Sequence, residues 1–506
     1  MIPRRWLFRA LPAATLLLLS AAADSGAQSR ELLTGPLSLE RSLELAVSNN
    51  PSFRSVENDA IIADWDVRSA YGALFPSASA SGGMSWQGTG EPPVGGGLTL
   101  GDLGISEQPS YYFSSYGLGL NYRLDGQVLL TPGRAKRSRE ATTADIRTAG
   151  STLILGVTRA YLEAVRQDRA LTLAQQELER ARFNLRLAES QLEVGTVTLL
   201  DVRQAEVQVG RAEVEVLRSE TGVETSRLRL FQQVGLEGDT EAVELTSEFP
   251  LFEPELEFEA LFDMALEWNP NLESLRASRE AAEVGVTIAR SAYLPSLSLS
   301  AGIGGFTRQA SSTDFAIAQA QGQVQAGYNQ CLALNEIFGR LTPPLNGQDC
   351  GSPLLSDEDI ASINSANEVW PFDFTKQPAT ASLTISLPIF QGLGRQRNVE
   401  AARVLEDDLN LQLRDQELAL RADLQAGLAA VRAGYRAALI EERNLEVAGE
   451  QQRLAQERYR VGSASFLDLV EAETVLAQSE RARLNAYYTF HDALASLEAL
   501  VGVPIR

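Results

Sequence analysis

The sequence predicts an α+β membrane protein written twice along one chain, in which long antiparallel helical hairpins alternate with short membrane-patterned strands. Three observations predict it. Motif pairs recur at fixed spacing in the two halves. Two stretches, 134–193 and 395–459, lack proline and carry apolar residues at heptad spacing. Between them the hydrophobic period drops to two, which is the period of a strand.

The repeat comes first because it sets the boundaries. Asn50-Pro51 precedes Pro76-Ser77 by 25 residues, and Asn269-Pro270 precedes Pro295-Ser296 by the same 25. Each opening holds a short apolar helix, around Leu43–Val47 and Phe262–Leu266, and each carries Ser-Ala-Tyr before the second proline (Ser69-Ala70-Tyr71, Ser291-Ala292-Tyr293). A second set of matches keeps a constant offset of 267: Val194-Gly195 with Val461-Gly462, Leu200-Asp201 with Leu467-Asp468, Ala205-Glu206 with Ala472-Glu473, Gly235 with Gly502. The repeats are 28–250 and 251–506, after a leader at 1–27.

The leader places Arg4, Arg5 and Arg9 before an apolar run from Leu11 to Ala23, then Ser25-Gly26-Ala27 as a small-residue cleavage site. That is the pattern of an export signal. No cysteine lies beside the cleavage site, so no N-terminal lipid anchor is expected, and no later run is long and apolar enough for a membrane helix.

In the first repeat, Leu171, Ala174, Leu178, Ala181, Leu185, Ala188 and Leu192 form a heptad seam; in the second, Leu405, Leu409, Leu413, Leu420, Leu424 and Val431 are part of the stripe. Helices of about 60 residues would reach about 90 Å at about 1.5 Å per residue. Each ends at a Val-Gly, where glycine supplies the left-handed turn, and a second helix runs back. The hairpins span about 134–233 and 395–500. The strands are expected at about 77–86, 112–124, 296–305 and 379–389. Leucine, isoleucine and tyrosine alternate there with serine, glycine and threonine, most weakly in the first. A half-buried soluble sheet would also alternate; the export signal and the long Gly/Pro-rich connections favour a sheet with one face to lipid. Four strands cannot close a barrel, and an open edge cannot stand in lipid, so the chain must oligomerise through its strands.

Composition narrows the chemistry. The 506 residues carry 44 Lys+Arg, only two of them lysine (Lys136 and Lys376), 66 Asp+Glu and one histidine, for a net charge of -22. That balance argues against nucleic acid as a partner. No P-loop lysine, histidine cluster or catalytic constellation is present, so neither enzyme activity, a metal nor a cofactor is expected. His491 stands among Tyr487, Tyr488 and Phe490 and reads as a packed core histidine.

With these motifs in place the chain resembles the TolC-type outer-membrane efflux proteins. The resemblance rests on the two Asn-Pro openings, the strand pairs, Leu387-Pro388-Ile389-Phe390-Gln391-Gly392 after the last strand, and the two tips, above all Tyr459-Arg460-Val461-Gly462 followed by Phe466-Leu467-Asp468. It implies a homotrimer with a twelve-stranded transmembrane β-barrel, four strands per protomer, in the outer membrane and a coiled-coil α-helical barrel in the periplasm. It also implies a passive exit duct of a tripartite efflux or type I secretion system. Such a duct opens on docking to a periplasmic adaptor (membrane fusion) protein and an inner-membrane pump of RND or ABC type. By the same resemblance Asp468 and Glu471 form an acidic ring at the periplasmic gate, and Tyr459 with Asp201 helps hold it closed. Val194, Gly195, Thr196, Val461, Gly462 and Ser463 become the adaptor-docking tips. Ala464 departs from the family pattern, which often has an arginine there to reinforce the latch. Asp201 and Asp468 can also be read simply as caps of the return helices.

The insertion 306–378 and the loop 87–110 would then lie outside the cell. Within the insertion Cys331 and Cys350 flank Pro343-Pro344, and an oxidising compartment favours a loop-closing disulfide. Trp370, Phe372 and Phe374 fit either an interfacial aromatic belt or packing within the loop. The competing reading is a soluble periplasmic coiled-coil adaptor, which would share the export signal and hairpins but has no use for four lipid-patterned strands.

Overall fold

A computed structural model describes residues 33–89, 109–343 and 345–505. The export signal expected at 1–27, most of the loop 87–110, and Pro344 lie outside the described residues. The first half contains β1 (Leu33–Leu37), α1 (Leu39–Asn49), α2 (Pro51–Glu57), α3 (Asp59–Gly72), β2 (Ser77–Gln87), β3 (Tyr111–Leu124), α4 (Gly126–Glu193), α5 (Leu199–Val234) and β4 (Gly238–Leu245). The second contains α6 (Phe258–Trp268), α7 (Pro270–Ser291), β5 (Ser296–Ala310), α8 (Asp314–Gly339), α9 (Asp357–Asn367), β6 (Thr380–Ser386), α10 (Gly394–Arg460) and α11 (Phe466–Val501). The chain divides into two compact units, and each takes segments from both halves. One holds the residues up to 64, 137–280 and 407 onward; the other holds 65–136 and 281–406.

The first unit is helical. Helices α4 and α10 run 68 and 67 residues, and α5 and α11 return for 36 each. The sequence places the start of the first long helix at 134, after Pro132. The structure starts it at Gly126, because the Asp125 carboxylate accepts the Val128 N–H at 2.9 Å and caps the first turn. Two cores repeat the same plan. Ala46, Leu230 and Val234 are fully buried in one, and their repeat equivalents Ala265, Leu497 and Val501 in the other. The Asn-Pro openings explain why that motif recurs. Asn50 caps α2 through the Phe53 N–H (3.0 Å) and donates to the Gln233 carbonyl at the end of α5 (2.7 Å). Asn269 caps α7 through the Leu272 N–H (3.1 Å) and donates to the Leu500 carbonyl at the end of α11 (2.9 Å). Gly235 and Gly502, with φ of 81° and 90°, press against these asparagine segments. A parallel pair, β1 with β4, decorates the first core only, and nothing in its short Gly-Pro-containing sequence LTGPL signals a strand.

The second unit contains an antiparallel sheet of order β2-β3-β5-β6. Its register shows no bulge. Ala80 stands opposite Leu118 and Leu118 opposite Ile303, while Leu299 stands opposite Leu383. Because side chains alternate along a strand, every such row shares a face. One face therefore carries Ala78, Ala80, Leu118, Leu120, Leu297, Leu299, Ile303, Leu383 and Ile385; the other carries mostly serine, threonine and glycine with Asn121, and at its ends Arg123 on one side and Tyr111, Phe113, Phe306 and Arg308 on the other. The last strand stops at Ser386, short of the expected 389, since Pro388 has no N–H for the ladder. No helix among the described residues is long and apolar enough to cross a membrane.

The insertion 306–378 is more structured than its sequence suggests. It lengthens β5 to Ala310 and then forms α8 and α9. Cys331 and Cys350 are joined by a disulfide, and the Asn335 side chain binds both the N–H (2.6 Å) and the carbonyl (2.7 Å) of Gln348 beside it. Helix α8 lacks a regular apolar stripe, which hides it. Helix α9 had a readable signal in its Ser356–Asp359 capping box. Trp370 and Phe374 pack on Tyr112 and Tyr116, at the apolar face, with ring centroids 5.7 and 4.8 Å apart; Phe372 stays exposed.

Candidate functional site: the paired hairpin tips

Both hairpins of the helical unit turn with the same chemistry. Gly195 and Gly462 adopt φ of 75° and 74°. The Thr196 N–H and hydroxyl both donate to the Gln191 carbonyl (2.9 and 3.0 Å), and those of Ser463 do the same to Arg458 (2.8 and 3.0 Å). The Gly195 and Gly462 N–H groups bond Leu192 and Tyr459, completing a double closure of each helix end. The return helices start with matching capping boxes. Asp201 accepts from the Thr198 N–H and hydroxyl at 2.8 Å each, and Asp468 from those of Ser465 at 2.9 and 2.8 Å. Val194 and Val461 project at the turns with 74% and 70% exposure, so the apolar ends of both tips are open to contact.

The structure gathers the four gate candidates around one small core but does not bond them as a latch. Tyr459 is buried with Ala188, Val202, Ala205, Phe466 and Leu469, its ring 5.6 Å from that of Phe466. Its hydroxyl has no hydrogen-bond partner among the described residues. Burial, and secondarily the negative charge of Asp201, push its pKa up to about 12, so it stays neutral at physiological pH. Asp201 spends its carboxylate on its own cap. Asp468 and Glu471 lie exposed on one face of α11, beside Glu450 and Arg458 in an open groove. The backbone and hydroxyl bonds from Ser465, aided by the charge of Arg458, hold the Asp468 carboxyl below its ordinary range, so it remains ionised.

A half-buried polar ladder between α4 and α11 escapes sequence reasoning. Arg180 grips Glu480 through two bonds (3.1 and 2.7 Å), Asn184 donates to Glu473 (3.0 Å), and Gln452 of α10 donates to the same carboxylate (2.9 Å). Nearer the tip, Gln191 reaches the carbonyls of Tyr459 and Arg460 at 3.3 and 3.4 Å. Asn184 and Gln191 are more deeply buried than Leu185 and Leu192, which the heptad reading put in the seam. The only available signal was polar residues one step off the leucines. His491 is a core residue, bonded through Nε2 to the Phe249 carbonyl (3.1 Å) and packed against Tyr487 and Phe490.

Comparison with known proteins accords with this architecture. The chain is 31% identical over 240 residues to the fusaric acid resistance protein FusA of Burkholderia cepacia, covering 46% of this chain and 44% of that protein. It is 26% identical over 257 residues to the outer membrane protein TolC of Vibrio cholerae, covering 51% and 56%. It thus spans about half the length of these relatives. The crystal structure of the Campylobacter jejuni CmeC outer membrane channel shares the fold, with a TM-score of 0.66 at 16% identity over 92% of this chain and 85% of that one. The sequence pattern of outer membrane efflux proteins matches residues 42–236 and 362–503, more than half of the chain. By fold and by sequence the chain belongs to the outer membrane efflux protein family and is a protein of the outer membrane.

Proposed function

We propose that three copies of this chain form a passive exit duct across the outer membrane, opened from the periplasm by an adaptor protein and fed by an inner-membrane pump of RND or ABC type. The observation that carries the reading is the two-faced sheet with open edges. Every residue of β2 and β6, its outer strands, is exposed in the single chain. Their free N–H and C=O groups cannot be left in lipid. Pairing β2 of one copy with β6 of the next satisfies them and yields a closed barrel, which needs about eight strands at the least. Three copies give twelve, with the leucine face to lipid and the serine–glycine face lining water. The same incompleteness marks the helices. Val207, Val214 and Leu217 on α5, and Leu411, Leu418, Ile440 and Val447 on α10, stand exposed and would pack against neighbouring copies.

The apolar, projecting tips Val194-Gly195-Thr196 and Val461-Gly462-Ser463 are the adaptor-docking positions. Asp468 and Glu471 of three copies converge six carboxylates at the periplasmic gate, with Tyr459 and Asp201 in the closing core behind them. The duct performs no catalysis; cargo moves down the gradient the pump creates. Fractionation followed by planar-bilayer recording tests the reading. Recovery with outer membranes and discrete cation-preferring conductance steps are expected, and recovery in the soluble periplasm would refute it.

A further inference from the structure

One cluster on the water-facing side of the sheet is chemically unlike the rest of that face. Two arginines are the charged residues that the register places there. Arg123, at the end leading into α4, is held by Asp125 at 2.9 Å. Arg308, at the opposite end, has no carboxylate within salt-bridge distance among the described residues, and its guanidinium lies 4.0 Å from the Tyr111 ring centroid and 6.0 Å from that of Phe113. Arg308 stands directly opposite Phe113 in the β3–β5 register, and Phe306, on the same face two positions before it, is 47% exposed. Elsewhere on this face the side chains are almost all Ser, Thr, Gly and Asn.

We propose that Arg308, Tyr111 and Phe113 form a binding site for planar aromatic anions at the outer end of the duct, one per protomer; this rests on the reading of that face as the lumen wall. A guanidinium is planar and presents two faces. One covers Tyr111, which holds the plane in place. Arg308 is exposed, which leaves its other face room for a second ring, while the in-plane N–H groups, free of any carboxylate, donate to a carboxylate or sulfonate carried by that ring. Neither a non-aromatic anion nor a neutral arene engages both parts of the site. Three copies make a cationic, aromatic collar at the exit, opposite in sign to the carboxylates at the entrance.

Equilibrium dialysis of 2-naphthalenesulfonate against the full-length protein in detergent tests the site. Saturable binding of one molecule per chain is expected, not displaced by methanesulfonate. Arg308→Ala should raise the half-saturating concentration at least tenfold, and Phe113→Leu several-fold, with oligomer size unchanged. Equal binding by the wild type and both variants, or competition by methanesulfonate, would overturn the proposal. Planar-bilayer recording of the same wild-type preparation separates the two readings. Absence of channels would remove the lumen placement even where binding holds. Channels without Arg308-dependent binding would sink the collar alone.

Discussion

The two hairpin tips share a backbone and differ in what surrounds it. Both use a left-handed glycine, a hydroxyl folded back on the preceding helix, and a Thr/Ser–Asp capping box. The side chains diverge. Where the first has Leu192, Leu199 and Gln204, the second has Tyr459, Phe466 and Glu471. Leu199 is 57% exposed and Phe466 only 3%. Gln191 of the first tip bonds across to the second, while its equivalent Arg458 lends charge to Asp468. The two halves keep the chemistry that turns the chain and differ in the side chains around it. The second tip has become the one with a buried phenol and a carboxylate pair.

The halves are most alike at the glycines that end their return helices. A Cβ on Gly235 would lie 2.6 Å from the Asn49 carbonyl oxygen, and one on Gly502 would lie 2.4 Å from that of Trp268, both at positive φ. Gly235→Ala and Gly502→Ala should therefore each cost about 3 kcal/mol or more, read as similar losses of Tm. Tolerance of one and collapse of the other would break the structural equivalence. A smaller effect is expected where the halves differ. Arg180→Ala strands Glu480 and weakens the hold on Glu473, both mostly buried, and should cost about 2 kcal/mol in denaturant unfolding. Arg203→Ala, which removes the exposed partner of Glu206, the repeat equivalent of Glu473, should not shift the midpoint measurably.

Tyr459→Phe removes a buried hydroxyl that lacks a partner and should stabilise the fold by about 1 kcal/mol at neutral pH. Its pH dependence carries a sign. The folded-state pKa is raised to about 12, so stability is unaffected by this group below the ordinary tyrosine value and falls as pH rises from there toward 12. The phenylalanine variant should lack that loss in alkaline unfolding curves. Smallest in stability, but specific to the second tip, Asp468→Asn with Glu471→Gln should lower cation preference in single-channel reversal potentials several-fold. Asp201→Asn should leave the preference unchanged; equal shifts would erase the distinction between the tips.

Much of this was legible because the determining physics is local. Strand alternation survives as face parity in the register, and a Val-Gly after a heptad run has few alternatives to a helix end. The role of Asn50 and Asn269 was not legible, because a cap bond is local but the bond to a carbonyl 183 or 231 residues away is not. Arg180, Asn184 and Glu473 escaped because a seam buries what faces the partner helix, polar or not, and spacing alone does not reveal the partner. Helix α8 was hidden by its irregular apolar pattern and is pinned by the disulfide and by Asn335. The gate residues rest on the family resemblance, and Asp201 and Asp468 already have a capping task that accounts for their presence.

Under the proposed function the sheet of one chain is a fragment completed by its copies. Native mass spectrometry of the protein released from outer-membrane detergent extracts measures this directly. A dominant species of three chains that dissociates cooperatively to single chains is expected. A dominant monomer under conditions that preserve folded protein would contradict it.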